Sequence, residues 1–134
     1  MIEMPPVGDE TLRRIMDRRA LEDPGHVLLK FQERDYTFGE IDAQVNRVAN
    51  ALLARGLVPG DRVALMLPSH PDHLVAILAL AKVGLVRVPV NTGFKGASLA
   101  YPFEAFAPRA LIADTAHADV LAEALPAGSV EMTL

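Results

Sequence analysis

No cysteine occurs among the 134 residues. Its absence excludes disulfide staples and thiolate metal sites, and it agrees with a cytoplasmic protein. A basic excess is missing too. Lys and Arg number 13 against 17 Asp and Glu, for a net charge of −4. Nucleic-acid-binding domains normally carry a basic face, so that class is set aside. The longest hydrophobic run, Leu74 to Ala81, is far shorter than the roughly 20 residues that cross a bilayer as a helix. The amino end, "MIEMPPVGDE", is acidic and proline-bearing, unlike a secretory signal with its basic start and apolar stretch. Neither G-x-G-x-x-G nor G-x-x-x-x-G-K-[ST] is present. No two carboxylates stand at a spacing suited to acid–base work.

What is present reads as one α/β domain. Hydrophobic residues make up 51% of the chain, and a chain of this size buries roughly two thirds of its unfolded surface. Residues 1–8 read as a flexible arm. Residues 9–134 read as the folded unit. From Asp9 a helical stripe of Leu12, Ile15, Met16 and Leu21 runs to the stop at Pro24-Gly25. "HVLLKFQ" and "YTF" read as a hairpin around the polar turn "ERD". Thr37 and Glu40 form a T-x-x-E capping box. Behind it, Ile41, Val45, Val48, Ala49, Leu52 and Leu53 recur at helical spacing. Gly56 is placed to end that helix in the left-handed conformation, and Pro59-Gly60-Asp61 turns the chain into "RVALML". That strand is apolar on both faces, which predicts helices on both sides of it. Helix, strand, helix, strand follow through "HPDHLVAILALAKVG", "VRVPV", "KGASLAYPFEAF", "RALIA", "TAHADVLAEAL" and "SVEMTL". Such alternation predicts a mostly parallel sheet flanked by helices, preceded by an N-terminal helix and a short hairpin.

Few residues invite chemistry. "SHPDH", Ser69 to His73, brings Ser, His and Asp together, but catalytic triads are assembled across a fold and not from neighbours. The stretch reads as a helix start in which Ser69 and Asp72 cap, with Pro71 in the first turn. His70 and His73 share a possible helix face, yet no third metal ligand stands near them. His26 and His117 are scattered. "NTGFKG", Asn91 to Gly96, is a loop between a strand and a helix, the place where open α/β sheets bind ligands. There Lys95 and the helix N-terminus could meet an anion, although an ordinary connection reads the same way. The residues alone therefore give an α/β domain with no catalytic set.

In order along the chain stand "YTFGEI", "VNRVANAL", "GLVPGDRVAL" and "LALAKVGLVRVPVN", ending at Asn91. This series resembles the N-terminal region of the AMP-forming acyl-CoA synthetases, over about residues 9–125. The resemblance implies a parent enzyme that activates a carboxylic or fatty acid with ATP and Mg2+ as an acyl-adenylate and passes the acyl group to CoA. It also implies that the family's phosphate loop, ribose-binding aspartate and catalytic lysine lie beyond this stretch, so this chain alone is expected to be inactive scaffold that binds none of those cofactors. Family members read like "NPRLKGEELAY" where this chain has "NTGFKGASLAY". Gly93 then replaces a basic residue near the CoA nucleotide, and Lys95 is left as the implied CoA contact. No catalytic and no metal-binding residue is assigned.

Four expectations follow. Pro102 should kink or split its helix near Tyr101, because it lacks a donor and clashes a turn back. Val63, Leu65, Leu67, Val45, Val48, Leu52, Leu74, Ile77 and Leu78 should be nearly fully buried. An apolar patch around Phe103, Phe106 and "SVEMTL" should be exposed, and should make the chain a homo-oligomer through residues 98–134. Within the family, carnitine and medium- to long-chain fatty-acid ligases give the best comparison. The rival reading is a non-catalytic binding or assembly module derived from the same family; a flavodoxin-like cofactor domain is disfavoured because no phosphate loop follows the first strand.

Overall fold

The computed structural model describes residues 11–134. The start of the first helix at Asp9 and the proposed arm at 1–8 lie outside the described residues. The architecture is α/β as expected. A sheet of four parallel strands, in the order β4-β3-β5-β6, carries the core, and a separate antiparallel hairpin, β1-β2, stands beside it.

Helix α1 spans Leu12–Glu22, and the Thr11 side chain caps it by accepting from the Arg14 N–H at 3.2 Å. Its apolar stripe is mostly unused. Met16 is buried, whereas Leu12, Ile15 and Leu21 are exposed. The hairpin pairs β1, Val27–Phe31, with β2, Arg34–Thr37. Its turn falls at Gln32-Glu33, earlier than "ERD" suggested, because Gln32 adopts a left-handed φ of 53° and frees Arg34 and Asp35 to pair.

Helix α2, Phe38–Ala54, starts with the expected capping box. The Glu40 N–H donates to Thr37 Oγ1 at 3.3 Å, and the Thr37 N–H donates to Glu40 Oε2 at 2.9 Å. Ile41, Val45, Ala49 and Leu52 are buried. Leu53, placed on the same stripe by spacing, is exposed. Gly56 ends the helix at φ 83°. Strand β3, Arg62–Met66, then runs through the middle of the sheet, with Val63, Ala64, Leu65 and Met66 all buried.

The turn before β3 is held by charge. Asp61 accepts from the Val58 N–H at 2.9 Å and from Arg109 Nη1 at 2.8 Å. Arg109 also donates to the Gly56 carbonyl at 3.0 Å and to Glu131 at 2.8 Å. One guanidinium thus ties the helix end, the turn, the entry to β5 and the entry to β6 at the amino-terminal edge of the sheet. The Val58 N–H, and then Arg109, hold the Asp61 carboxyl below its ordinary value of 3.8. A depressed folded-state pKa stabilises the fold above the unfolded value, and that stabilisation is lost as pH falls through the folded value. Asp61→Asn is therefore expected to lower stability at neutral pH and to flatten the loss of stability below about pH 4. Urea titrations at both pH values check this; an unchanged acid slope would remove Asp61 from the explanation.

Helix α3, Pro71–Lys82, is capped by His70 and not by Ser69. His70 Nδ1 accepts from the Asp72 N–H at 3.2 Å, and Pro71 occupies the first helical position, so the cap falls one residue later than Ser/Asp preferences suggested. Strand β4, Val86–Pro89, is an edge strand with Val86 exposed. Helix α4, Gly96–Phe106, runs as a single element through Pro102, which is buried within it, so the helix is not split. Strand β5 is Ala110–Ala113. A 3-10 turn at Thr115–His117 precedes α5, Ala118–Ala124, where one continuous helix was expected. The last strand, β6, is only Met132–Thr133.

Two cores lie against the two faces of the sheet. Val63, Leu65 and Ala110 pack with α1, α2 and α3; Ala64, Met66 and Leu111 pack with α4 and α5. Of the expected core, Val63, Leu65, Val45, Leu52 and Leu78 are buried. Leu67, Val48, Leu74 and Ile77 are only partly buried at the rim of the first cluster. Leu67 and Val48 border an open cavity that leaves one side of each uncovered. Phe103, expected in an exposed patch, is buried at 6% against the second core, while Phe106 and Tyr101 on the same helix are exposed.

Candidate functional site

The carboxyl ends of the parallel strands form one edge of the sheet. There β3 leads into Leu67–His70, β4 into Val90–Lys95, and β5 into Asp114. Helix α3 leaves β3 for one face, and α5 leaves the neighbouring β5 for the other. The β3/β5 boundary is therefore the topological switch point, where an open α/β sheet leaves a crevice.

Backbone bonds close that crevice on its strand side. The Asp114 N–H donates to the Met66 carbonyl at 3.3 Å, and the Asp114 side chain accepts from the Ala116 N–H at 2.8 Å. His70 stands 3.1 Å from an Asp72 carboxylate oxygen and packs its ring edge-on to Phe31, centroids 5.3 Å apart. His73 Nδ1 lies 3.3 Å from the Pro68 carbonyl. The two histidines thus have separate partners, and no group of three metal-ligating side chains occurs among the described residues. Nor does Ser69 bond either histidine there. The "SHPDH" stretch is a helix start, as its sequence suggested, and His26 sits elsewhere, on the hairpin side, 3.5 Å from Asp23.

The "NTGFKG" loop is ordered by its own first residue. Asn91 Oδ1 accepts from the Gly93 N–H at 2.8 Å, and the Asn91 carbonyl accepts from the Phe94 N–H at 3.0 Å. A Cβ at position 93 would come within 3.2 Å of Asn91 Oδ1, so this turn suits glycine. Lys95 is the N-cap residue of α4 but makes no side-chain cap bond, and it is exposed. Beside it Phe94, Ala97, Ser98 and Tyr101 line an open hollow of about 430 Å3. A cation, a helix N-terminus and two exposed aromatic rings can hold an anionic, ring-bearing group.

The family assignment rests on a direct match. The family described as "AMP-binding enzyme" matches residues 16–133. The chain belongs to the AMP-binding enzyme family. It is 38% identical over 103 residues to 4-hydroxybutyrate--CoA ligase 1 of Metallosphaera sedula, covering 77% of this chain and 18% of that protein. It is 32% identical over 125 residues to Malpinin synthetase of Mortierella alpina, covering 92% of this chain and 2% of the relative. Among solved structures, the artificially fused adenylation-PCP di-domain NpsA-ThdA of Klebsiella oxytoca superposes with a TM-score of 0.80 at 29% identity, covering 92% of this chain and 22% of that one. The chain therefore spans a fifth or less of the curated relatives it matches. Members of the AMP-binding family form adenylates, and both a CoA ligase and a probable nonribosomal peptide synthetase stand among this chain's relatives.

This membership separates structural from functional residues. Asp61, Arg109 and Glu131, and the cluster of Lys82 with Asp17 and Asp42, were not singled out by spacing, because each set comes from distant segments. A recognisable phosphate loop is missing from the sequence, and no acidic cluster for Mg2+ stands among the described residues.

Proposed function

We propose that this chain is the N-terminal scaffold of a cytoplasmic acid:CoA ligase. The observation that carries the reading is the higher identity to a CoA ligase, 38% over 103 residues, than to the probable non-canonical nonribosomal peptide synthetase CymA of Salinispora arenicola, 30% over 106. In this reading the parent forms an acyl-adenylate from ATP and a carboxylic acid, and CoA accepts the acyl group. The β4–α4 corner is the CoA-facing part. Lys95 meets a phosphate, and Phe94 and Tyr101 border the hollow beside it. No bond-making step belongs to these residues; they position and neutralise.

Two outcomes test the reading. The polypeptide encoded by the native gene is expected to show carboxylate-dependent exchange of pyrophosphate into ATP, followed by a thioester on free CoA. Transfer only to a carrier-protein thiol would favour the peptide-synthetase reading instead. The 134-residue chain by itself is expected to show no exchange above background, since phosphoryl chemistry needs a phosphate cradle and metal ligands. Exchange by pure chain would overturn the scaffold assignment.

Association belongs to the same proposal. Tyr101 and Phe106 are exposed on α4, and among the described residues β6 pairs only with β5, which leaves its other edge without a strand partner there. Light scattering over a concentration series is expected to show a dimer or larger species through residues 98–134. A monomer throughout the series would refute this part.

A further inference from the structure

A groove of about 790 Å3 lies among α1, α2, α3 and the Pro59 turn. Leu12 of α1 and Leu53 of α2, 45% and 43% exposed, line it, and Ala49, Ala81 and Val83 complete its apolar surface. Asn46 and Asn50, four residues apart and so on one face of α2, add two amides. Asn46 Nδ2 is engaged with Asp42, but Asn50 is exposed and makes no hydrogen bond among the described residues. Arg13 and Lys82 also line the groove, and among the described residues no acidic side chain does. Asp17 and Asp42, the acidic partners of these cations, both contact Lys82, while Arg13 stays exposed. A second hollow, of about 360 Å3 beside β3 and β5, carries Arg47 and Asp72 together, opposite charges that select neither sign.

We propose that the groove among α1, α2 and α3 holds the chain's own residues 1–10 as an extended strap. Thr11, where the described chain begins, lines the groove together with Leu12 and Arg13, so the preceding segment leaves from its rim. The tether makes the contact intramolecular, at an effective concentration on the order of millimolar. The segment "MIEMPPVGDE" matches the lining in character. Ile2, Met4 and Val7 are apolar, and Glu3, Asp9 and Glu10 are acidic, with no Lys or Arg among them. Its length also suffices. Pro5-Pro6 favour an extended backbone, and at about 3.1 Å per residue ten residues reach about 30 Å. The α2 side of the groove, Asn46 to Leu53, takes up only about 10 Å of helix axis. An extended strap carries carbonyls that no strand pairs, and the unbonded Asn50 amide can donate to one of them. Docking would cover Leu12 and Leu53, two apolar side chains that α1 and α2 leave open. The strap requires neither ATP nor CoA, so it stands or falls separately from the ligase reading.

Because the chain has no native cysteine, Ile2→Cys gives the full 134-residue protein a single site for a nitroxide label. The amide signals of Asn50, Leu53, Ala81 and Gly84 are expected to lose most of their intensity to paramagnetic broadening. Those of Leu121 and Val130, at the second core, should keep theirs. Leu53→Glu changes an exposed position and sets a carboxylate against the acidic strap. It is expected to return most of the lost intensity at Asn50, Ala81 and Gly84, with the second-core signals unmoved as the sign that the variant is folded. A freely moving arm would broaden the same amides whatever stands at position 53, so broadening that survives Leu53→Glu would overturn the proposal. Undiminished groove signals in the labelled chain would overturn it too, and that result requires no groove variant to fold. So would broadening of an isotope-labelled chain by a separate spin-labelled one mixed with it, since the occupant would then be a second copy.

Discussion

Leu65→Ala is expected to destabilise the fold by about 2–5 kcal/mol, the range for emptying a well-packed leucine site. Leu65 is 1% exposed on the central strand. It stands opposite Pro89 on one side and Ile112 on the other, and its carbonyl accepts from the Val90 N–H at 2.9 Å. The backbone is thus clamped from both neighbours, which limits how far the site can collapse around the void. A domain with 5–15 kcal/mol of total stability would lose a large part of it. Urea denaturation of both proteins measures the loss. Leu21→Ala is the internal comparison: Leu21 is 84% exposed and should cost within about 0.5 kcal/mol. If the two substitutions cost the same, β3 is not the centre of a two-sided core.

The centre of this fold is readable because its signals are local and agree with one another. Thr37 and Glu40 stand three apart and cap each other. Gly56 sits where the helix must stop, and its φ of 83° is one that glycine adopts freely. "RVALML" is apolar on successive residues, and the helices it calls for are present on both faces. The periphery is harder. Leu12, Ile15, Leu21 and Leu53 satisfy a helical stripe, yet they are exposed; Met16 is the buried residue of α1, whose other links include the Asp17–Lys82 ion pair and Arg19 over the Phe38 ring. Periodicity states which face is apolar; it does not state whether anything covers that face. Phe103 and Phe106 make the same point within one helix, since a three-residue step puts one against the second core and the other in solvent.

The candidate sites divide in the same way. The place of Lys95 at the start of α4 was legible because a strand, a glycine-bearing loop and a helix occur in sequence. Arg47 was not. It lies mid-helix between Asn46 and Val48 and reads as a solvated charge until β3, β5 and α3 converge beside it. Arg109 was missed for a related reason: Gly56, Asp61 and Glu131 reach it from three other segments. Pairing across 48 residues leaves no periodic trace.

Lys82→Met is expected to cost about 2–4 kcal/mol, approaching the range for removing one partner of a buried ion pair. The Lys82 side chain is 13% exposed at the end of α3. Its ammonium donates to Asp42 of α2 at 2.8 Å and meets Asp17 of α1 at 2.6 Å. Asn46 donates to the other oxygen of Asp42 at 2.9 Å. Methionine keeps most of the stem and removes the charge, so the two carboxylates lose the cation between them, and Arg13, 3.6 Å from Asp17 and exposed, is left to offset them. Asp42, 19% exposed, suffers most; Asp17, 44% exposed, is partly relieved by water. Burial lowers the Lys82 pKa, but the hydrogen bonds and charges of Asp17 and Asp42 outweigh it, and the net shift is upward from 10.5. A raised folded-state pKa stabilises the fold fully below the unfolded value and loses that stabilisation as pH climbs through the folded one. The difference between the two proteins should therefore hold steady from about pH 6 to 9 and shrink only in stronger alkali. Adding Asp42→Asn should recover part of the loss, since it removes the stranded charge, and a double-mutant cycle on urea denaturation measures that coupling. Strict additivity would mean that Lys82 acts through packing of its stem, and that α1, α2 and α3 are joined by apolar contact alone.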